Sequence, residues 1–208
     1  MTADAMSDLL VFLARARRLD PHALARLQPV EGGGRAWAVL PFGVLATRVV
    51  PVAVSEDVTV RVSDLFDRAR GAGGLASVEG LSRHDGQWRG GTLPDPAAPV
   101  IERMAAHECR RIGDEAGTAL RAAQEQARVD QRAVGERKLR DTLLDHVALT
   151  VTAEATRYEI PVRLVVGLLR MAFAGDGPVL VRRSGRRLGL EGVHGGVWLI
   201  GGGLPLLT

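Results

Sequence analysis

Three short constellations in this 208-residue chain bring reactive residue types together. His107-Glu108-Cys109 opens like a zinc-binding helix motif, which needs a second histidine about one turn later so that two imidazoles share a face. Arg111 stands at that position, and His22, His84, His107, His146 and His194 show no paired spacing. No metal ligand set follows. Gly80-Leu81-Ser82-Arg83-His84-Asp85-Gly86 holds the three residue types of an acyl-transfer triad. Neighbours in one loop, however, cannot aim at one another as nucleophile, base and orienting acid must. Cys109, the only cysteine, falls in a helical pattern, where a lone thiol packs as a small apolar residue. Gly32-Gly33-Gly34, Gly189–Gly196 and Gly201–Gly203 lack the strand–loop–helix setting of a nucleotide fingerprint, and no Gly-Lys-Ser/Thr occurs. No catalytic residue and no cofactor are assigned.

Charge supplies the remaining chemistry. Of the 27 cationic residues only Lys138 is a lysine. Arginine offers a planar fork suited to phosphate and carboxylate, but its spread along the whole chain fits the codon bias of a GC-rich genome. Residues 1–95 and 96–150 are each balanced, and residues 151–208 hold seven arginines against four acids, so the +3 net charge lies at the C-terminal end. Arg182, Arg183, Arg186 and Arg187 flank Ser184-Gly185, a tight hairpin turn. Four guanidiniums around a hairpin tip suit a nucleic-acid backbone or an acidic partner. The alternative is a solvated hairpin whose charges blunt a strand edge.

These residues need elements to position them. Residues 7–18 carry Leu9, Leu10, Leu13 and Ala16 at helical spacing. Asp20-Pro21 predicts a helical turn through Leu27. Trp37–Leu40, Val44–Val54 and Val58–Val62 predict strands, and Ser63 a cap for a helix ending at Gly71. Residues 71–95 hold seven glycines and mark a boundary. Asp95-Pro96 predicts a long helical segment to Leu149, weakened at Gly113, Gly117 and Gly135. Residues 161–174 predict a helix apolar on nearly every side, which must be buried in a core or an oligomer interface. Leu164, Leu168 and Met171 are its interface candidates. Strands follow at Val179–Val181, Leu188–Leu190 and Val197–Ile200, and the apolar tail Leu204–Leu207 is expected to pack down.

Phe12-Leu13-Ala14-Arg15, Arg26-Leu27-Gln28, Pro41-Phe42-Gly43-Val44-Leu45 with Arg48, and Pro161-Val162-Arg163-Leu164-Val165 leading to Gly175-Asp176-Gly177-Pro178 resemble a group of uncharacterised actinobacterial proteins of unknown function. The resemblance implies a high-GC source, and no functional residue carries over from it.

The chain therefore reads as α+β: a small N-terminal sheet with helices (1–72), a glycine-rich connector (73–94), and a helical domain with C-terminal strands (95–208). A single cysteine and the lack of a basic, apolar leader fit a cytoplasmic protein. No stretch is long and apolar enough for integral membrane association. The leading expectation is a non-enzymatic binding or scaffold protein that self-associates, as a homo-oligomer or with a protein partner, through 161–174 or 96–149. The alternative is a nucleic-acid-binding protein, winged-helix-like in its helix–helix–hairpin order, that uses the 182–187 arginines. An enzyme of unrecognised type is the third reading.

Overall fold

In a computed structural model of the chain, residues 3–71, 75–129 and 136–201 are described. Helix α1 (Ala3–Leu19) buries Leu9, Phe12, Leu13 and Ala16, one stripe at three- and four-residue steps. Arg17 and Arg18 sit in its last turn, where cations suit the helix dipole. Asp20 accepts the His22 N–H at 2.8 Å, but no helical turn follows. Leu24–Val30 is strand β1. The reason is alternation: Ala25 and Leu27 are buried on one face, while Arg26 and Gln28 turn to the other and donate to Asp57. A meander continues through β2 (Gly33–Leu40) and β3 (Val44–Val50), joined at Gly43, whose φ of +77° favours glycine. Strand β4 (Val58–Arg61) pairs antiparallel with β1 and leads into α2 (Val62–Arg70).

The second half departs from one long helix. Val100–Met104 is a strand, β5, followed by α3 (Ala106–Val129) and α4 (Glu136–Asp145). A hairpin, β6 (Val147–Ala153) with β7 (Thr156–Pro161), comes next, then α5 (Val162–Arg170). The last meander is β8 (Val179–Ser184), β9 (Arg187–Gly192) and β10 (Gly195–Leu199).

All strands except β6 and β7 form one antiparallel sheet in the order β4-β1-β2-β3-β10-β9-β8-β5. The order reads alike from both ends: an edge strand, then a three-stranded meander preceded by a helix, α1 or α5. The meanders join where β3 pairs with β10, Ala46 opposite Val197. The C-terminal hairpin is thus not a wing but the interior of the sheet, and the strands of both halves share that sheet through β3 and β10.

The helices share one face of the sheet. α1 packs on β2 and β3, α5 on β3, β9 and β10, and α2 and α3 pack beside α1 and α5 in turn. Val44, Ala46, Leu188, Leu190 and Val197 point into this layer. Leu164, Leu168 and Met171 are buried there too, at 0%, 0% and 2% exposure. Their apolar surface is already covered by the chain's own sheet, which leaves none for a partner. Gly113 does not break α3; a Cβ there would lie 2.1 Å from Leu169, so glycine lets α3 approach α5.

The glycine-rich segment is no free tether. Leu75 is buried with the helix-side core. The His84 N–H then donates to the Thr59 carbonyl, and Asp85 Oδ1 accepts the Thr59 N–H, closing the β4 edge. Trp88, Leu93 and Ala98 go on to cover Trp37, Leu45 and Trp198 on the opposite face. The tail Leu204–Leu207 lies outside the described residues.

Candidate functional site

The arginine hairpin is where three of its four members are spent on structure. Arg182 lies between β5 and β9, with its Nε on Glu191 and Nη1 on the Ala98 carbonyl. Arg183 donates to Tyr158 Oη at 2.8 Å and lies 5.4 Å from that ring's centre. Arg187 donates to the Thr92 carbonyl. Arg183 and Arg186 are exposed, and of the four only Arg186 is, among the described residues, without a side-chain partner. The sheet brings these arginines together and ties three of the four to partners within the fold.

The catalytic readings fare no better geometrically. In the 80–86 loop, Asp85 is held by Arg83 Nε at 2.9 Å and by the Thr59 N–H at 2.7 Å. These bonds, Arg83's first, hold the Asp85 carboxyl below its usual range. The acid thus secures a strand edge and orients no histidine. Cys109 is fully buried, and desolvation pushes its thiol up to about 11, the opposite of what a nucleophile needs. His107 is exposed on α3, while Arg111 pairs with Glu115 at 2.7 Å. Among the described residues no group of three His, Cys, Asp or Glu is placed to hold a metal, and no helix is long and apolar enough to cross a membrane.

The helix layer presents a different cationic surface. α1 carries three arginines against two aspartates, and α5 carries two arginines and no acid, while α2, α3 and α4 are each balanced. Among the helices, the cationic excess therefore sits on α1 and α5. These two helices touch: Arg15 Nη1 donates to the Arg170 carbonyl at 3.3 Å, and the Phe12 and Phe173 rings stack with centres 6.2 Å apart. Arg18 and Arg170 are exposed. On the α2 side, Arg17 and Arg70 both lie over the Phe66 ring, at 4.3 and 5.5 Å. Arg17 also pairs with Asp67 at 3.7 Å. Guanidiniums thus run from α2 across α1 to α5. Sequence reading missed this band because Arg15 and Arg170 are 155 residues apart, and no local pattern joins them.

Beside it lies an apolar cleft of about 490 Å³ between α3, α4 and α5, floored by Ala116, Leu144, Val166 and Leu169 and rimmed by Asp114, Arg121, His146 and Arg170.

The fold is similar to that of DNA polymerase sliding clamps. DNA polymerase III subunit beta from Pseudomonas aeruginosa superposes with a TM-score of 0.58 at 14% identity, over 97% of this chain and 65% of that one. The DNA polymerase sliding clamp from Caulobacter crescentus gives 0.54 at 13% identity, over 97% and 65%. A DnaN sliding clamp from Pseudomonas aeruginosa bound to griselimycin gives 0.52 at 15%, over 97% and 64%. The chain thus spans about 65% of the length of these clamps. No curated protein sequence matches it. Residues 1–90 match the family described as Domain of unknown function (DUF8010), and residues 93–204, more than half of the chain, match Domain of unknown function (DUF8185), the family to which this chain belongs.

Proposed function

We propose that this chain is a non-enzymatic binding protein that uses a clamp fold as a scaffold and engages a nucleic-acid backbone through its helix layer. The observation that carries the reading is the cationic excess of α1 and α5 within the helix layer, whose other helices are balanced, with Arg15 of α1 touching Arg170 of α5. Backbone recognition needs cations spread over a surface rather than a recognition helix in a groove. The solved structures sharing this fold are components of DNA polymerases, which adds support. Anisotropy of a labelled DNA duplex titrated with the protein at several salt concentrations tests the proposal. Binding should weaken as salt rises. Replacing Arg15, Arg18 and Arg170 by alanine together should lower the slope of log K against log salt by roughly one per lost phosphate contact. A parent protein that ignores duplex DNA at about 50 mM salt removes this reading.

Self-association is favoured by a separate observation. Strand β5 ends the sheet, no further strand pairs with it among the described residues, and its Glu102 and Arg103 are exposed. An open edge is a template for another strand. Since Leu164, Leu168 and Met171 are buried, we place the oligomer contact at β5 rather than at those residues. Light scattering after size exclusion should give more than one copy, and Ile101→Pro (I101P) should return a monomer. A parent that is monomeric at high concentration contradicts this placement.

A further inference from the structure

Arg35 carries a charge that the fold buries in part and, among the described residues, leaves without an ion-pair partner. It lies on β2 directly opposite Val49 of β3, on the face away from the helices. Burial pushes its guanidinium below its usual value, against the pull of Glu191 and Asp95. Neither acid forms an ion pair with it: Glu191 is engaged by Arg182, and Asp95 Oδ1 accepts the Ala97 N–H at 2.8 Å. Arg35 Nε is buried with no hydrogen-bond partner. Arg26 and Arg163 also orphan their Nε, but each uses another guanidinium nitrogen on a carboxylate, Asp57 and Asp145 in turn. Among the described residues Arg35 has no such partner. A desolvated, unpaired cation costs stability, a cost that an anion from outside the chain would offset.

The surroundings define that anion further. β10 begins at Gly195, so β3 runs past it and leaves a notch against the turn between β9 and β10. The notch encloses about 280 Å³ and is lined by Arg35, Thr47, Val49, Glu191, Val193 and His194, with Gly196 leaving its floor free of a side chain. Val49 and Val193 are 49% and 61% exposed, two of the few large apolar side chains that face solvent. A cation between two uncovered valines suits an anion carrying a small apolar group. Arg48 also lines the notch but is paired with Asp8, and Glu191 beside Arg35 disfavours a multiply charged phosphate, which leaves room for a single negative charge.

We propose that the notch between β3 and the β9–β10 turn is a carboxylate-binding site, in which Arg35 takes the carboxylate and Val49 and Val193 cover a short aliphatic group attached to it. A free short-chain carboxylic acid and the terminal carboxylate of a peptide ending in an aliphatic residue share this chemistry. The site lies on the face opposite the helix layer and does not depend on nucleic-acid binding.

Thermal shift and calorimetry on the full chain test it with three probes: 3-methylbutanoate, a hexapeptide ending in valine, and the same peptide amidated at its C-terminus. At least one of the first two should raise the melting temperature and bind, and the amidated peptide should do neither. The tighter of the two carboxylates identifies the source. Arg35→Met (R35M) should keep or raise the ligand-free melting temperature while weakening the carboxylate by about tenfold or more, as loss of a charge-assisted bond requires. Val49→Asp (V49D), on an exposed side chain, should weaken it similarly without unfolding the chain. The proposal is overturned if neither carboxylate binds at tens of millimolar, if the amidated peptide binds equally, or if V49D binds as the parent does. It is also overturned if R35M lowers the ligand-free melting temperature by several degrees, which assigns Arg35 a purely structural role.

Discussion

Replacing Arg182 by alanine (R182A) should destabilise the fold, and replacing Arg186 (R186A) should not. The Arg182 side chain is 19% exposed, and its two donors hold Glu191 on the next strand and the Ala98 carbonyl in the strap over the sheet. A hydrogen bond to a charged group contributes about 1.5–3 kcal/mol when buried. Glu191 is 39% exposed, so solvent screens part of the pair. A net loss of about 2 kcal/mol follows for R182A once both bonds are discounted in this way. Arg186 sits at the turn in solvent, and its removal should stay within about 0.5 kcal/mol. Urea unfolding followed by tryptophan fluorescence reads both. With a slope of about 2 kcal/mol per molar for a chain of this size, the R182A midpoint should fall by about 1 M with the slope unchanged. If R182A matches the parent, or if R186A is equally damaging, the assignment of the hairpin arginines to structure is refuted.

Three further outcomes follow from the geometry. Ala155 sits at φ +61° in the two-residue turn between β6 and β7. Ala155→Gly (A155G) should therefore raise stability by about 1 kcal/mol in the same urea assay, because the left-handed region costs an L-residue about that much. A Cβ on Gly192 would lie 2.3 Å from the Phe173 carbonyl oxygen and 2.7 Å from Ala174 Cα. Backbone cannot yield as a side-chain tip does, so Gly192→Ala (G192A) should cost about 3 kcal/mol or more, visible as a fall in melting temperature. Cys109 keeps its proton to about 11 when folded, while an unfolded thiol ionises near 8.5. The folded chain then holds more protons over that interval, so this group's stabilising contribution, intact below about 8.5, is lost as pH rises towards 11. Cys109→Ala (C109A) should flatten that decline in denaturation curves taken from pH 8 to 11.

Much of the fold was legible in local pattern. The stripe of α1, the alternation of Val58 and Val60, the glycine-terminated α2 and the paired β8 and β9 are each written in a short window. Helix α5 read as buried, and it is buried. The failures share a cause: a tertiary partner outweighed the local signal. Asp20-Pro21 makes a turn into β1 instead of opening a helix, because Arg26 and Gln28 find Asp57 across the sheet face. Val100–Met104 becomes a strand because β8 offers it a ladder. The β6–β7 hairpin was invisible because its turn is built from Glu154 and Ala155, both at positive φ, where Asn-Gly is the usual signal. The repeated helix-plus-meander plan left no trace in the sequence, since a sheet needs only alternation and not the same residues twice. The candidate site was the least legible. The hairpin arginines caught the eye by adjacency, whereas Arg15, Arg18 and Arg170 meet only after folding.

The most direct measurement is arginine footprinting with phenylglyoxal, read by mass spectrometry with and without duplex DNA. If the helix layer binds the backbone, DNA should shield Arg15, Arg18 and Arg170 and leave Arg186 at the hairpin turn as reactive as before. Shielding of Arg186 with no change at Arg15, Arg18 and Arg170, or no shielding at all, would contradict the proposal.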